Sequence, residues 1–277
     1  MSLMSKLLMS TVALTSILSA NTQPDNKALV KYVKRSVVKN PEVIVKGVTV
    51  LESKTDERLP GWTILMTTMD VEYQKKEMHA PEMMFVKDGL ITGHLTDIKT
   101  GNDYRELIKP TVPQSYYDEA HLLFGNKDAA HKILIFSDPM CPFCQETVPG
   151  IFTAAKENPT QMAVYYYHLP LLRIHPVSDV LTRVMHVAQH EGKADVVEKI
   201  YALKIDARET DMTKILEAVK TQTGYVVTPE QVNNQAVKDA IAADQSAAEK
   251  LMVGGTPTIY IDGEWDRARD GYKKLIK

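Results

Sequence analysis

The run Lys132-Ile133-Leu134-Ile135-Phe136-Ser137-Asp138-Pro139-Met140-Cys141-Pro142-Phe143-Cys144 decides how this chain is read. Its apolar first part, Lys132 to Phe136, has the character of a buried strand. The polar lead-in Ser137-Asp138-Pro139 and Pro142 behind Cys141 mark a strand-to-helix turn. Cys141 and Cys144 are the only 2 cysteines among 277 residues. A disulfide across two intervening residues closes so small a loop that it removes little entropy from the unfolded chain, so it braces poorly. It works well as a two-electron switch, in which one thiolate attacks a partner's sulfur and the other resolves the mixed disulfide. The spacing alone leaves two other uses open. Structural zinc wants four N/S ligands, and no second Cys-x-x-Cys or His-x-x-x-His follows at a suitable spacing. Inert core thiols fit badly with a proline-marked turn at a surface.

The predicted helix, Pro142 to Glu157, places the pair at its start. A helix N-terminus carries unpaired N–H groups and partial positive charge, which stabilise a thiolate. In Cys-x-x-Cys proteins such placement brings a thiol from about 8.5 down to roughly 3.5 to 7. Cys141 is the expected nucleophile. Cys144, one turn deeper, is the expected resolving thiol.

Composition is that of an ordinary globular chain, 44% hydrophobic and 25% charged, with net charge -2. No basic excess suggests nucleic acid or an anionic membrane surface. The length favours two domains. Lys6, the apolar stretch Leu7 to Leu18, and Ser19-Ala20 before a polar switch have the order of a secretory signal, with cleavage expected after Ala20. That stretch is shorter than the roughly 20 residues that span a bilayer. A buried first helix is the alternative; a signal implies an oxidising compartment, where a reversible disulfide has a use.

The first half reads as a helix over Lys27–Lys39, ended by Asn40-Pro41, then strands over Val43–Leu51 and Trp62–Tyr73. Met83–Lys87 and Leu90–Leu95 flank Asp88-Gly89, which calls for a type I′ hairpin. Met66, Met69, Met78, Met83 and Met84 read mainly as sheet core. An adaptable Met-rich surface for unfolded chains is the alternative. Pro110, Pro113 and Ser115–Phe124 read as a linker with a short helix. Beyond Gly125 the chain alternates strand and helix: a strand over Gln161–His168, helical stripes read as core, among them Val196, Val197, Ile200 and Tyr201, and a compact helix start at Thr228-Pro229-Glu230-Gln231. Thr258–Ile261 is a strand, Asp262-Gly263 a turn, and Asp270–Lys277 a last short helix. His168 and His175 read as structural or solvated. Copper handling through the thiols and Met140 rests on soft-ligand chemistry alone.

Strand, Cys-x-x-Cys at a helix start, Pro149 five residues on, and Thr256-Pro257 leading into Thr258-Ile259-Tyr260-Ile261 together resemble the thioredoxin superfamily. That resemblance implies a cis-proline at Pro257 facing the thiols, with Thr256 and Pro257 as substrate-binding residues. Gly254 and Gly255 would ease the approach of this loop, leaving backbone groups of Thr256 to pair with a bound chain. The segments Phe124–Ala130, Phe136–Cys144 and Gly255–Tyr260 further resemble the periplasmic disulfide isomerases DsbC and DsbG, DsbG most closely. Pro142-Phe143 departs from the Gly-Tyr usual in DsbC and is nearer the Pro-Tyr of DsbG. Thr256 agrees with the isomerases and differs from the Val usual in the oxidase DsbA.

The resemblance implies an α/β thioredoxin fold with a helical insertion over about 176–252, preceded by a small α+β cystatin-like N-terminal domain and a linker helix. The expected division is a signal peptide over 1–20, a dimerisation domain over 21–109, the linker helix over 110–128 and a catalytic domain over 129–277. It implies a periplasmic homodimer that acts as disulfide isomerase or reductase, with sulfenic acid reduction a further possibility. Cysteine-containing protein substrates and a membrane thiol reductase of the DsbD type are the implied partners. No cofactor, metal or nucleic acid is expected. A thiol-independent holdase or a DsbA-like oxidase are the alternatives.

Overall fold

The computed structural model describes residues 24–276. The expected signal segment lies outside the described residues. Helix α1 (Asn26–Tyr32) is capped by Asp25, whose carboxylate accepts the Ala28 N–H. It runs into one π-helical turn over Val33–Val37, so the expected helix over Lys27–Lys39 is present with a widened end.

Strands β1 (Ile44–Lys54), β2 (Thr63–Tyr73), β3 (Lys76–Lys87) and β4 (Leu90–Thr92) form an antiparallel sheet in chain order. Two-residue turns join β2 to β3 and β3 to β4. Asp88 and Gly89 take positive φ as the Asp-Gly signal requires, and Gln74 and Lys75 do the same without a glycine. Without a glycine this turn carries no sequence signal, and β3 extends back to Lys76 by pairing with β2 along its length. The period of two divides the sheet's apolar residues. Leu65, Met69, Val71, Met84 and Val86 pack under α1 with Leu29 and Val33. Ile64, Met66, Met83 and Phe85 pack on the other face with Leu59, Tyr104 and Ile108. Four of the five sheet methionines are thus core, and Met78 stays exposed.

The second sheet runs in the order β5-β7-β6-β8-β9, from β5 (Leu122–Phe124), β6 (His131–Ser137), β7 (Met162–His168), β8 (Thr258–Ile261) and β9 (Glu264–Trp265). Only β6 and β7 are parallel. Helix α2 (Pro142–Glu157) links them, and its buried residues Val148, Ile151 and Phe152 pack on Ile133, Ile135, Val164 and Tyr166. Between β7 and β8 lie α3 (Ser178–His190), α4 (Ala194–Ile200), α5 (Met212–Thr223), α6 (Pro229–Asn233) and α7 (Gln235–Lys250). Thr228 and Gln231 form the reciprocal capping box at α6 that their spacing suggests. Helix α7 covers the opposite face of the sheet through Ala248, followed by Leu251. Asp262 and Gly263 both have positive φ and turn β8 into the short β9.

Two expectations are corrected. There is no linker helix over 110–128: the segment holds a single 3₁₀ turn, Gln114–Tyr116, and then β5. Pro110 and Pro113 donate no N–H, and tertiary partners claim the rest. Tyr116 and Tyr117 pack on Tyr167 and Tyr165, with centroids 5.8 and 5.1 Å apart. The Tyr116 carbonyl accepts the Tyr167 hydroxyl at 2.7 Å, the Asp118 carboxylate takes the His121 N–H at 3.0 Å, and Leu122 pairs with Tyr165. The C-terminal segment likewise forms a 3₁₀ turn over Gly271–Lys274 rather than a helix to Lys277.

The two sheets touch through a short polar seam. Thr111 donates its N–H and its hydroxyl to the Glu52 carboxylate, both at 2.9 Å. Val112 N–H donates to Gly263 C=O at 2.9 Å, and the Lys109 ammonium reaches the Met252 carbonyl.

Candidate active site

Strand β6 ends at Ser137, and α2 begins at Pro142 after four intervening residues. Cys141 is the N-cap residue, with extended backbone (φ -69°, ψ 122°), and Pro142 occupies the first helical position. The Cys141 carbonyl accepts the N–H groups of Cys144 at 2.9 Å and Gln145 at 3.0 Å. Pro149 lies inside the helix, where it supplies no N–H to the carbonyl one turn back.

Both cysteines are free thiols. Cys144 is fully enclosed and Cys141 is 5% exposed, less open than a surface turn would suggest. Across from them, Thr256 and Pro257 meet in a cis peptide bond. The Cys141 thiol donates to the Thr256 carbonyl at 3.4 Å. The family resemblance implies that the Thr256-Pro257 loop faces the thiols, and the fold brings Thr256 into contact with Cys141.

The two thiols differ in acidity. The Cys144 thiol hydrogen-bonds the Cys141 sulfur and favours its thiolate; burial opposes this. The Thr256 hydroxyl and the N–H groups of Cys144 and Phe143 add to the lowering, and Cys141 settles at about 5. The Thr256 hydroxyl is buried with no acceptor of its own, so it is available to a sulfur anion. Cys144 moves the other way: burial raises it strongly, and its hydrogen bond to Cys141 raises it further. The two sulfurs are therefore opposite in character, one favouring the thiolate and its neighbour holding its proton.

This difference sets a pH dependence. Unfolded, Cys141 ionises near the ordinary thiol value of about 8.5; folded, it ionises near 5. Its contribution to the stability of the reduced protein is complete above the unfolded value and is lost as pH falls through the folded one. Alkylation of Cys141 by iodoacetamide should stay fast from pH 8 to 6 and fall only as pH approaches 5. A rate that drops tenfold per unit throughout pH 8 to 6 would contradict the assigned environment.

Asp138 anchors the redox turn. Its buried carboxylate accepts Met140 N–H at 2.8 Å and the Ser178 hydroxyl at 2.6 Å on one oxygen. The other oxygen takes Leu171 N–H at 2.8 Å and the His175 imidazole at 3.0 Å. These bonds tie the turn before Cys141 to the loop after β7, where Leu172 and Ile174 stand exposed. Phe143 is also exposed, with the Arg269 guanidinium over its ring. Exposed apolar side chains thus stand on the turn that follows Cys141 and on the loop that Asp138 ties to it.

Several groups near the thiols carry no sign of their partners in the sequence. Asp138 and Ser137 looked like turn residues and Tyr201 like core. His175 has its structural role, on Asp138. His168, however, is buried with neither ring nitrogen bonded, beside a cavity of about 630 Å³ shared with Tyr166, His186 and His190. His186 and His190 form a His-x-x-x-His on α3, and they line this cavity rather than join the thiols.

A thioredoxin family model matches residues 118–277. Among curated proteins, the Na(+)/H(+) antiporter NhaA 1 of Mycobacterium sp. (strain KMS) is 24% identical over 168 residues, 58% of this chain and 27% of the antiporter. The chain spans about a quarter of the length of such relatives, and no helix among the described residues is long and apolar enough to cross a membrane. Among solved structures, BdbD from Bacillus subtilis in its oxidised form is 14% identical. The match covers 61% of this chain and 97% of BdbD, with a TM-score of 0.48. A thioredoxin-like oxidoreductase from Silicibacter pomeroyi DSS-3 is 20% identical over 56% of this chain and 88% of that one, with a TM-score of 0.45.

Proposed function

This chain belongs to the thioredoxin family, and from that premise we propose that it is a thiol-disulfide oxidoreductase that reduces and isomerises disulfides in other proteins. The observation that carries the reading is the unequal thiol pair. Cys141 is held as a thiolate at the helix cap, and Cys144 is enclosed beneath it as the proton-bearing partner. Cys141 attacks a substrate sulfur, giving a mixed disulfide. Either the freed substrate thiol attacks a second disulfide, which is isomerisation, or Cys144 attacks Cys141, which is reduction.

The finer reading is a periplasmic protein of the DsbC and DsbG type, closest to DsbG. In it the N-terminal cystatin-like unit pairs two copies, and a membrane thiol reductase of the DsbD type returns the thiols to the reduced form. Thr256 beside Pro257 supports this, as does a separate N-terminal sheet that a plain oxidase would not need. Sulfenic acids on exposed cysteines are further substrates in this reading.

The low ionisation of Cys141 favours a second reading, oxidation, because a stabilised thiolate makes the corresponding disulfide a stronger oxidant. One assay separates the two. Given a fully oxidised, scrambled substrate, the reduced full chain should restore activity with catalytic turnover. If it only oxidises a reduced substrate and leaves the scrambled one inactive, the oxidase reading stands instead.

A further inference from the structure

His121 has a carboxylate at each ring nitrogen. Its Nδ1 lies 2.7 Å from Asp118 Oδ1, on its own turn, and its Nε2 lies 2.9 Å from Asp244 Oδ1, on α7. The second Asp244 oxygen accepts the His168 N–H at 2.8 Å. Asp244 is buried, whereas the His121 side chain keeps 24% of its surface open to water. The imidazole also lies flat on the Tyr167 ring, with centroids 3.8 Å apart and planes 4° from parallel. The His121 carbonyl accepts the Tyr166 N–H at 2.8 Å. One residue thus ties the segment between the two sheets, Gln114–Phe124, to both β7 and α7.

An ionised carboxylate only accepts, and a neutral imidazole carries a single N–H. Contacts this short to two carboxylates need one proton more than a neutral ring and two carboxylates hold. Either the ring is an imidazolium that donates twice, or one carboxyl keeps its proton and donates to the ring. In both cases the extra proton belongs to the Asp118–His121–Asp244 triad as a unit. Once it leaves, a nitrogen lone pair faces a carboxylate oxygen at hydrogen-bond distance, and one bond becomes a repulsion.

The neighbouring groups favour keeping that proton on the triad. Burial disfavours a charged His121 ring, yet the hydrogen bond and charge of Asp244, then those of Asp118, outweigh it and hold the ring above the ordinary histidine value. Burial also pushes the Asp244 carboxyl up. On β7, Tyr167 gives its hydroxyl to the Tyr116 carbonyl, and His168 is kept neutral by burial. On α3, burial brings His186 down to about 4, and His190 Nδ1 bonds the His186 carbonyl. Glu191, across the histidine cavity, pairs with Lys193. Lys250 of α7 lines the crevice beside the triad.

We infer that the Asp118–His121–Asp244 triad is a pH-operated clasp: it holds Gln114–Phe124 against β7 and α7 while it carries its extra proton, and lets that segment loosen when the proton leaves. The sign follows from the raised ring. The clasp contributes fully below about 6.5, the unfolded histidine value, and its contribution is lost as pH rises through the higher folded value. The segment it holds follows Thr111, the residue that bonds Glu52 and Glu264. The helix it holds leads through Gly254-Gly255 to the cis Thr256-Pro257 bond. The clasp therefore stands between the seam of the two sheets and the loop beside Cys141.

The test uses the full-length reduced chain. The His121 ring is followed by proton–carbon NMR, its signal assigned by its loss in His121→Gln. Amide hydrogen exchange of Gln114–Phe124 is measured from pH 6 to 9 with the chemical exchange rate divided out. The parent ring should titrate above the ordinary histidine value. Protection of Gln114–Phe124 should fall by about tenfold or more across the range, the weight of one hydrogen bond to a charged group, while α2 changes by less than about twofold. His121→Gln has no second donor and no proton to lose. Its segment should already be loose at pH 6 and show no step. A parent ring that titrates at or below the ordinary value would overturn the clasp, as would parent protection that stays level from pH 6 to 9. A step of the parent's size persisting in His121→Gln would overturn it too, by assigning the step to another group.

Discussion

Replacing Cys141 with serine should reduce protein-disulfide reduction by at least about 10³-fold, to the background set by the added thiol. A serine hydroxyl at the same cap would receive the same N–H groups from Cys144 and Phe143, but it neither ionises in the working range nor forms a sulfur bond. Cys144 cannot substitute, because it is enclosed and its acidity is strongly suppressed. Cys144→Ala should fail differently. Its Cys141 still attacks, though without the thiol that contributes most to its low ionisation, and the reaction stalls at the mixed disulfide. Turnover of insulin reduction, followed by precipitation of its B chain, reads both variants. Substantial activity in Cys141→Ser would mean that the roles of the two thiols are reversed.

The second large effect is on stability. Asp138→Ala removes an acceptor that serves four donors at once: Met140 N–H, Leu171 N–H, the Ser178 hydroxyl and the His175 imidazole. Each loses a partner inside the protein, where unsatisfied groups are costly. The expected loss is about 3 to 5 kcal/mol in chemical denaturation. Asp138→Asn should be milder, since its carbonyl oxygen keeps one side of the network while its amide N–H₂ opposes donors on the other. Ser178→Ala deletes a single member and should cost only about 1 kcal/mol. If Asp138→Ala unfolds at the parent's midpoint, the carboxylate does not anchor the redox turn.

The parts of this molecule that could be read in the sequence are those fixed by neighbours along the chain. Asp88-Gly89 and Asp262-Gly263 turn because their positive φ values are local properties. The Thr228 capping box closes within four residues. The strand into Cys141 and the helix out of it need only their own pattern and Pro142. What could not be read depends on distant partners. Ser115–Phe124 carries a helix-like composition, yet Tyr165 and Tyr167, more than forty positions away, draw it into a turn and a strand. Asp138 has the look of a turn residue because three of its four donors come from positions 171, 175 and 178. Tyr201 is indistinguishable from other apolar members of its helical stripe until its hydroxyl is seen on Ser137.

The missing linker helix leaves the two sheets in contact. A rigid helix would hold the two units apart, whereas here Thr111 joins Glu52 of the first sheet to Glu264 of the second by hydrogen bonds.

The central claim is that Cys141 attacks protein disulfides and Cys144 resolves the product. Its most direct test is to express the full chain as Cys144→Ala, quench with acid, and map covalent adducts by mass spectrometry. The account predicts mixed disulfides with cysteine-containing proteins, every one of them through Cys141 and all released by dithiothreitol. A Cys144→Ala protein that carries no adducts, while the same chain with both thiols still reduces insulin, would contradict it.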